Sequence, residues 1–190
     1  MKNELGSLIA SIALKSGLFG KKPTALDVYT NGIILKFKNE DMEYLFEHIS
    51  SIKTFNYFAP NPAEYNFDVF NNSGEKISAL SIPYAHRAIG TALLEAHMRF
   101  QLKNDFPQNL ANSEFILDNH LSWQRGRLIH SGRKGTREYL PQQIDRFIVK
   151  DGMHFFTLKD NNDTLALLLH DSPNCLTTIE VCRAITDMKL

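Results

Sequence analysis

The chain has 190 residues, and its 21 Lys plus Arg balance its 21 Asp plus Glu to a formal net charge of +0 at pH 7. A balanced chain has no global field to draw in nucleic acid or an anionic membrane, so any electrostatic function must come from a local patch. The hydrophobic share of 43% and charged share of 22% are ordinary for a soluble globular protein, and the length suits one or two domains.

The chain opens with Met1, Lys2, Asn3 and Glu4, followed by a short apolar run over 8–14 that Ser11 interrupts. The run is too short to span a membrane and no small-residue cleavage site follows it, so neither a membrane span nor a signal peptide is expected. At helical spacing Leu5, Leu8, Ile9, Ile12 and Phe19 share one face, and Glu4, Ser7, Ser11 and Lys15 the other; Leu14 and Leu18 break the pattern. The expectation is a short N-terminal amphipathic helix. It packs on the first domain or a partner subunit, or lies in a membrane interface with help from Lys15, Lys21 and Lys22. Gly17, Gly20 and Pro23 mark its end and a hinge, closing a segment over 1–24.

A first domain over 25–104 opens with strands at 26–30 and 33–38 around Asn31 and Gly32, two residues that tolerate positive φ and so signal a hairpin. Further strands are expected at 42–46, 49–55, 65–71 and 76–82, the last two joined through Asn72, Ser73 and Gly74. A helix over 84–102 carries Ile89, Leu93, Ala96 and Phe100 on one face. Residues 105–113, with Pro107, Gln108, Asn109 and Asn112, read as a linker. A second domain over 114–190 gives strands at 121–124 and 127–130 around Arg125 and Gly126, then at 137–140, 144–149, 154–159 and 164–170. A helix over 172–188 follows, with Ser172 as N-cap, Pro173 in its first turn, and Leu176, Ile179, Cys182 and Ile185 on one face. Cys175 and Cys182 lie two helical turns apart, about 10 Å along the axis, which is too far for a disulfide; they read as small buried hydrophobes.

The two domains say the same thing twice. Residues 26–53 fall on 121–148 with a shift of 95, placing Leu26 on Leu121, Val28 on Trp123, Ile33 on Leu128 and Tyr44 on Tyr139. Residues 66–82 fall on 154–170 with a shift of 88, placing Phe67 on Phe155 and Leu80 on Leu168 and leaving seven extra residues in the first copy around Pro60 and Pro62. Short antiparallel strands closed by one helix, done twice, define an α+β, mainly β chain.

The run from Leu121 to Ile129 followed by Glu138, Tyr139, Leu140, Ile144 and Phe147, and its counterpart Leu26 to Ile34 with Glu43, Tyr44, Leu45, Ile49 and Ile52, resembles the front half of pleckstrin-homology-like domains of the GRAM type. The resemblance covers about 26–102 and 115–188. It implies two tandem PH-like small barrels or sandwiches, each of seven short strands closed by a C-terminal helix. It also implies a binding module: some members take phosphoinositides on basic residues of the first strands and their loops, while others bind peptides or hold assemblies together.

Five cations, Arg125, Arg127, Arg133, Lys134 and Arg137, fall between Leu121 and Glu138 with His130 among them and no acid between. Arginine forks and a glycine-bearing loop suit phosphate or carboxylate, so these five are the candidate anion site, for a lipid headgroup or an acidic peptide. The matching loop of the first copy holds Glu40 and Asp41, so such a site belongs to one copy only. The alternative is a solvated basic hairpin. A second candidate is a protein-contact patch of Tyr57, Phe58 and Tyr65, with Phe55, around Pro60 and Pro62; a protein–protein scaffold would use it with the N-terminal helix and no small ligand. Of seven histidines none has metal-ligand spacing. His120, His130, His154 and His170 share the second copy, and Glu64, Asp68 and Asp41 are a weaker carboxylate group. Residues 160–163 look like a calcium loop but lack its glycine and distal glutamate, so a hairpin turn is expected. No nucleophile, P-loop or dinucleotide fingerprint is present. The expectation is therefore a non-enzymatic module without cofactor or metal, with a protein partner or homo-oligomer as the other option, in the cytoplasm or peripheral at a membrane.

Overall fold

The structure is a computed structural model and describes residues 2–14, 22–59, 62–103, 105–133, 135–150, 153–159 and 163–188. The chain divides into two compact units, Met1–Gln101 and Leu102–Leu190. The class is α+β, mainly β, as the alternating pattern dictates. The described strands form four open antiparallel sheets.

The first unit begins with one helical turn, α1 (Lys2–Leu5), and then strand β1 (Leu8–Ala13). Strands β2 (Ala25–Tyr29), β3 (Gly32–Lys36) and β4 (Asp41–Leu45) complete a four-stranded meander in the order β1-β2-β3-β4. A second meander follows, with β5 (Ile49–Thr54), β6 (Glu64–Asn71) and β7 (Lys76–Pro83), and then helix α2 (Arg87–Leu102). The core takes Leu26, Val28, Ile33 and Leu35 from the first sheet, Ile52, Phe67, Leu80 and Ile82 from the second, and Leu93 and Leu94 from α2.

The N-terminal segment is not the amphipathic helix its periodicity suggests. Gly6, at φ +76, ends α1, and β1 pairs antiparallel with β2 from Leu8↔Tyr29 to Ala13↔Ala25. The edge of β2 offers backbone partners that an isolated helix lacks, and this outweighs the helical spacing. Among the described apolar residues of this segment only Leu5 and Ile12 are buried, whereas Leu8 and Ile9 are exposed. Lys15, Phe19 and Lys21 of the expected helix lie outside the described residues. The Asn31–Gly32 signal does mark a hairpin, but not through positive φ. Gly32 starts β3, and a Cβ there would sit 2.3 Å from the Tyr44 carbonyl oxygen, so close approach is what demands glycine.

The second unit repeats the order. Strands β8 (Glu114–Ile116), β9 (Leu121–Gln124), β10 (Arg127–Gly132) and β11 (Gly135–Tyr139) form one meander. Strands β12 (Ile144–Lys150), β13 (Met153–Leu158) and β14 (Thr164–Leu167) form the other, and α3 (Cys175–Asp187) closes the unit. The stretch expected as a linker belongs to this unit. Leu110 is buried, and its carbonyl oxygen accepts the Trp123 indole N–H at 2.7 Å in the second core. Helix α3 starts three residues later than expected: Asn174, not Ser172, caps it, accepting from the Leu176 and Thr177 amides, while the Ser172 hydroxyl donates to the Leu169 carbonyl. Both cysteines are free and buried on α3, where burial pushes the Cys175 thiol up to about 12 and the Cys182 thiol well above its ordinary value.

Pairing in the first meanders coincides at the shift of 95: Val28↔Ile33 matches Trp123↔Leu128, and Ile33↔Tyr44 matches Leu128↔Tyr139. In the second meanders the shift is 87, one less than the residue types suggest. Phe67↔Leu80 matches His154↔Leu167, and Val69↔Ser78 matches Phe156↔Leu165. Aligning Phe67 with Phe155 would place a core residue on a half-exposed one, because a one-residue slip turns every side chain to the other face.

Two polar groups hold these cores in register. In the second unit the Asp118 carboxylate is buried between β8 and β9. One oxygen accepts the His120 and Leu121 amides at 2.7 Å each, and the other accepts the Leu168 amide, just past β14, at 2.8 Å. A single side chain thus ties the two sheets of the unit. Asp118→Ala leaves three amides without their acceptor and lowers the unfolding free energy by about 3 kcal/mol, measured by urea titration; a loss below about 1 kcal/mol would show that water replaces the carboxylate at little cost.

In the first unit, His97 of α2 is fully buried and its Nε2–H donates to the Ile49 carbonyl oxygen of β5 at 3.2 Å. Burial lowers its pKa to about 4, against the opposing effect of the hydrogen bond. An unfolded histidine titrates near 6.5, so only the unfolded state takes up a proton as the pH falls from about 6.5 to about 4. Stability from this group is complete above that window, falls through it by roughly 3 kcal/mol, and levels off below it. Urea titrations between neutral and mildly acidic pH will show this loss, and His97→Gln, which keeps a donor for Ile49, will flatten it. An equal acid slope in the variant assigns the loss to other groups, the buried His154 and the carboxylates among them.

Candidate functional site

The five cations expected as one patch separate into two groups, because β10 carries them to opposite ends and faces. Arg125 sits in the two-residue β9–β10 turn at φ +46, with Gly126 at φ +85, and pairs with Glu114 at 2.9 Å. Arg127 pairs with Glu138 at 2.5 Å on the outer face of the sheet. Both are solvent-exposed ion pairs of small energetic weight. The β10–β11 turn lies at the far end of β10, about 20 Å away at the ordinary rise of a strand. Lys134 lies outside the described residues.

A groove of about 280 Å³ opens at that far end. Gly132, Arg133, Gly135 and Arg137 line it from the hairpin, with His130 and Tyr139 deeper on the same strands; Asp163, Thr164 and Leu165 line it from the start of β14. Alternation explains the set. His130 is paired with Arg137 and lies two residues from the buried Leu128, so the face that lines the core beneath Leu128 continues outward as His130, Arg137 and the two glycines. Among the described residues neither Arg133 nor Arg137 has an ion-pair partner, whereas Asp163 has an interaction of its own. The arrangement presents two guanidinium groups and an imidazole across a hairpin mouth whose glycines leave the backbone open. It suits an oxyanion.

The equivalent place in the first unit is chemically different. Leu35↔Met42 occupies the position of His130↔Arg137, and the turn closes through Phe37, whose amide donates to the Glu40 carbonyl oxygen at 2.8 Å. The cleft of about 620 Å³ in that unit is lined by Glu4, Asn31, Leu45, Glu47 and Phe100, with no cation among its described lining residues.

The expected contact patch divides as well. Tyr65 is 1% and Tyr57 6% exposed, so both are core residues and not surface contacts. The Tyr57 hydroxyl is 2.7 Å from Thr91 Oγ1 of α2, and the Arg87 guanidinium lies over both rings at 5.4 and 5.8 Å. Phe58, packed edge-on against Tyr57, is exposed, as are Phe55 and Tyr84; Pro60 lies outside the described residues. Tyr84, stacked on Tyr65, also belongs to this patch, which the helical spacing of 84–102 hides in the sequence.

Of the four histidines in the second unit, only His130 lines the groove. His154 is buried against Phe147, and burial pulls its imidazole pKa down; His170 lies 3.7 Å from Asp171. The carboxylates also part company: Asp68 pairs with Lys76 at 2.6 Å, Glu64 accepts from the Ser81 hydroxyl, and Asp41 is exposed on another sheet. Asp27 joins Ser11 and Lys36 across three strands of the first unit. Burial alone would raise its pKa, but hydrogen bonds from Lys36 and Ser11 outweigh that and lower it. Among the described residues, no group of three or more His, Cys, Asp or Glu is placed to hold a metal ion, and no helix is long and apolar enough to cross a membrane.

Comparison with known proteins finds no family model and no curated protein that matches this chain.

Proposed function

We propose that this protein is a non-enzymatic binding module of two PH-like units, and that the second unit captures a phosphate-bearing headgroup in the groove at the end of β10 and β11. The observation that carries this reading is the mouth itself: Arg133 and Arg137 stand there without carboxylate partners, while Arg125 and Arg127, the other described cations of the region, are each neutralised by a glutamate. The order of four strands, three strands and a helix in each unit supports the likeness to PH-like domains. On this reading the first unit, with Leu35 and Met42 at the equivalent place, binds no anion there. The protein works in the cytoplasm, at the periphery of a membrane.

Co-sedimentation with vesicles of phosphatidylcholine alone, and of phosphatidylcholine with a phosphatidylinositol bisphosphate, tests this. Binding will require the phosphorylated lipid. It will weaken as salt rises from about 50 to about 200 mM and fall at least about tenfold in Arg133→Ala/Arg137→Ala. Arg125→Ala/Arg127→Ala will bind within about twofold of the wild type, since those side chains already have partners. Equal binding to both vesicles, or equal binding by the Arg133/Arg137 variant, overturns the assignment. A second reading, a protein–protein scaffold, is favoured by the exposed Phe55, Phe58 and Tyr84 around buried Tyr57 and Tyr65. It predicts a salt-tolerant complex or oligomer that Phe55→Ala/Phe58→Ala dissociates.

A further inference from the structure

The groove contains a group that neither its arginines nor its glycines account for. His130 lies on the lining face, half-buried, directly across from Arg137 in the β10–β11 pairing. Its ring points along the strand towards the mouth: a Cβ built on Gly132 would lie 3.3 Å from His130 Cε1 and 3.6 Å from Nε2. The absence of a side chain at Gly132 therefore gives the imidazole edge a place beside the turn that carries Arg133. Among the described residues the ring has no hydrogen-bond or ion-pair partner.

The charged and titratable neighbours come from every strand around it. Arg133 follows on its own strand end, Arg137 and Tyr139 lie on β11, Asp163 precedes β14, and His120 precedes β9, its carbonyl oxygen taking the Ser131 amide at 2.8 Å. An anion seated between the two guanidinium groups and this ring favours the protonated imidazole, because an opposite charge within hydrogen-bonding reach stabilises the charged form. Binding and proton uptake must then strengthen each other reciprocally.

We propose that His130 is a third anion-contacting residue of this groove, and that it makes capture of the anion proton-linked, tighter at mildly acidic than at mildly alkaline pH. The proposal rests on the anion-site reading above and adds its regulation. The leucine at the equivalent place in the first unit has no such chemistry, so the property belongs to the second unit alone.

The test uses the full chain and a probe whose own charge does not titrate in the range, myo-inositol hexakissulfate. Its affinity is measured by calorimetry at about pH 5.5 and about pH 8. The wild type is expected to bind about tenfold tighter at the lower pH, the effect of one unit of linked pKa change. His130→Asn is expected to bind at the weaker, alkaline level at both values, and His130→Lys, a permanent cation, to bind tightly at both. No binding by the wild type at either pH overturns the anion site, and with it this proposal. Binding that is equal at the two pH values overturns proton linkage while leaving the anion site intact. A pH dependence that survives in His130→Asn assigns the proton to another group and overturns the role of His130. Thermal unfolding of both variants, expected to match the wild type because the ring is unpartnered, separates loss of contact from loss of fold.

Discussion

The second unit depends on a carboxylate that has left water. Asp118 accepts three backbone amides, two at the start of β9 and one beyond the end of β14, and so fixes where the two meanders meet. Beside it the Thr178 hydroxyl of α3 donates to the Leu117 carbonyl oxygen at 3.3 Å, bringing the closing helix to the same corner. A buried charge is tolerated only when its acceptor capacity is filled, and here the donors are backbone groups that would themselves be orphaned without it. The first unit achieves the analogous closure differently, with His97 of α2 reaching the Ile49 carbonyl oxygen on β5.

The groove is a consequence of how such a unit ends. Strands β10 and β11 extend past the layer filled by Leu128 and Trp123, so the inward face of the hairpin outlasts the core. Whatever stands on that face beyond the last buried pair is available to a ligand. In the second unit that pair is His130 with Arg137, whereas in the first the equivalent Leu35 is itself buried in the core and only its partner Met42 is exposed. The strand order is the same in both units, and at one paired position the first continues its apolar core while the second presents a cationic lip. This is a local difference with no trace in the net charge of the chain.

Much of the fold was legible in the residues. Alternation and turn signals located twelve of the strands and both long helices, because half-buried antiparallel strands carry a period of two and helices a period near four. The two first strands, β1 and β8, were missed for different reasons. Strand β1 has a helical spacing of apolar residues and becomes extended only because β2 offers an edge, while β8 has three residues, too few for any period to show. The shift of 88 differs by one residue because it matches phenylalanine to phenylalanine, whereas the sheet matches buried face to buried face and makes His154 the counterpart of Phe67.

For the candidate site, the sequence by itself determined which residue types were present: a run of cations without acids in one copy, acids in the other, and aromatics around a proline-bearing loop. It also determined the class of the fold, since backbone alternation is a local property. Only the tertiary structure decided which cations act together. Arg125 and Arg127 lie close to Arg133 in the chain but at the other end of a strand, facing glutamates that the linear order places eleven residues away. Likewise Tyr57 and Tyr65 are drawn into the core by α2, whereas Phe55 and Phe58 stay outside. Charge neutralisation and burial are set by neighbours across strands and helices, and those neighbours exist only once the chain has folded.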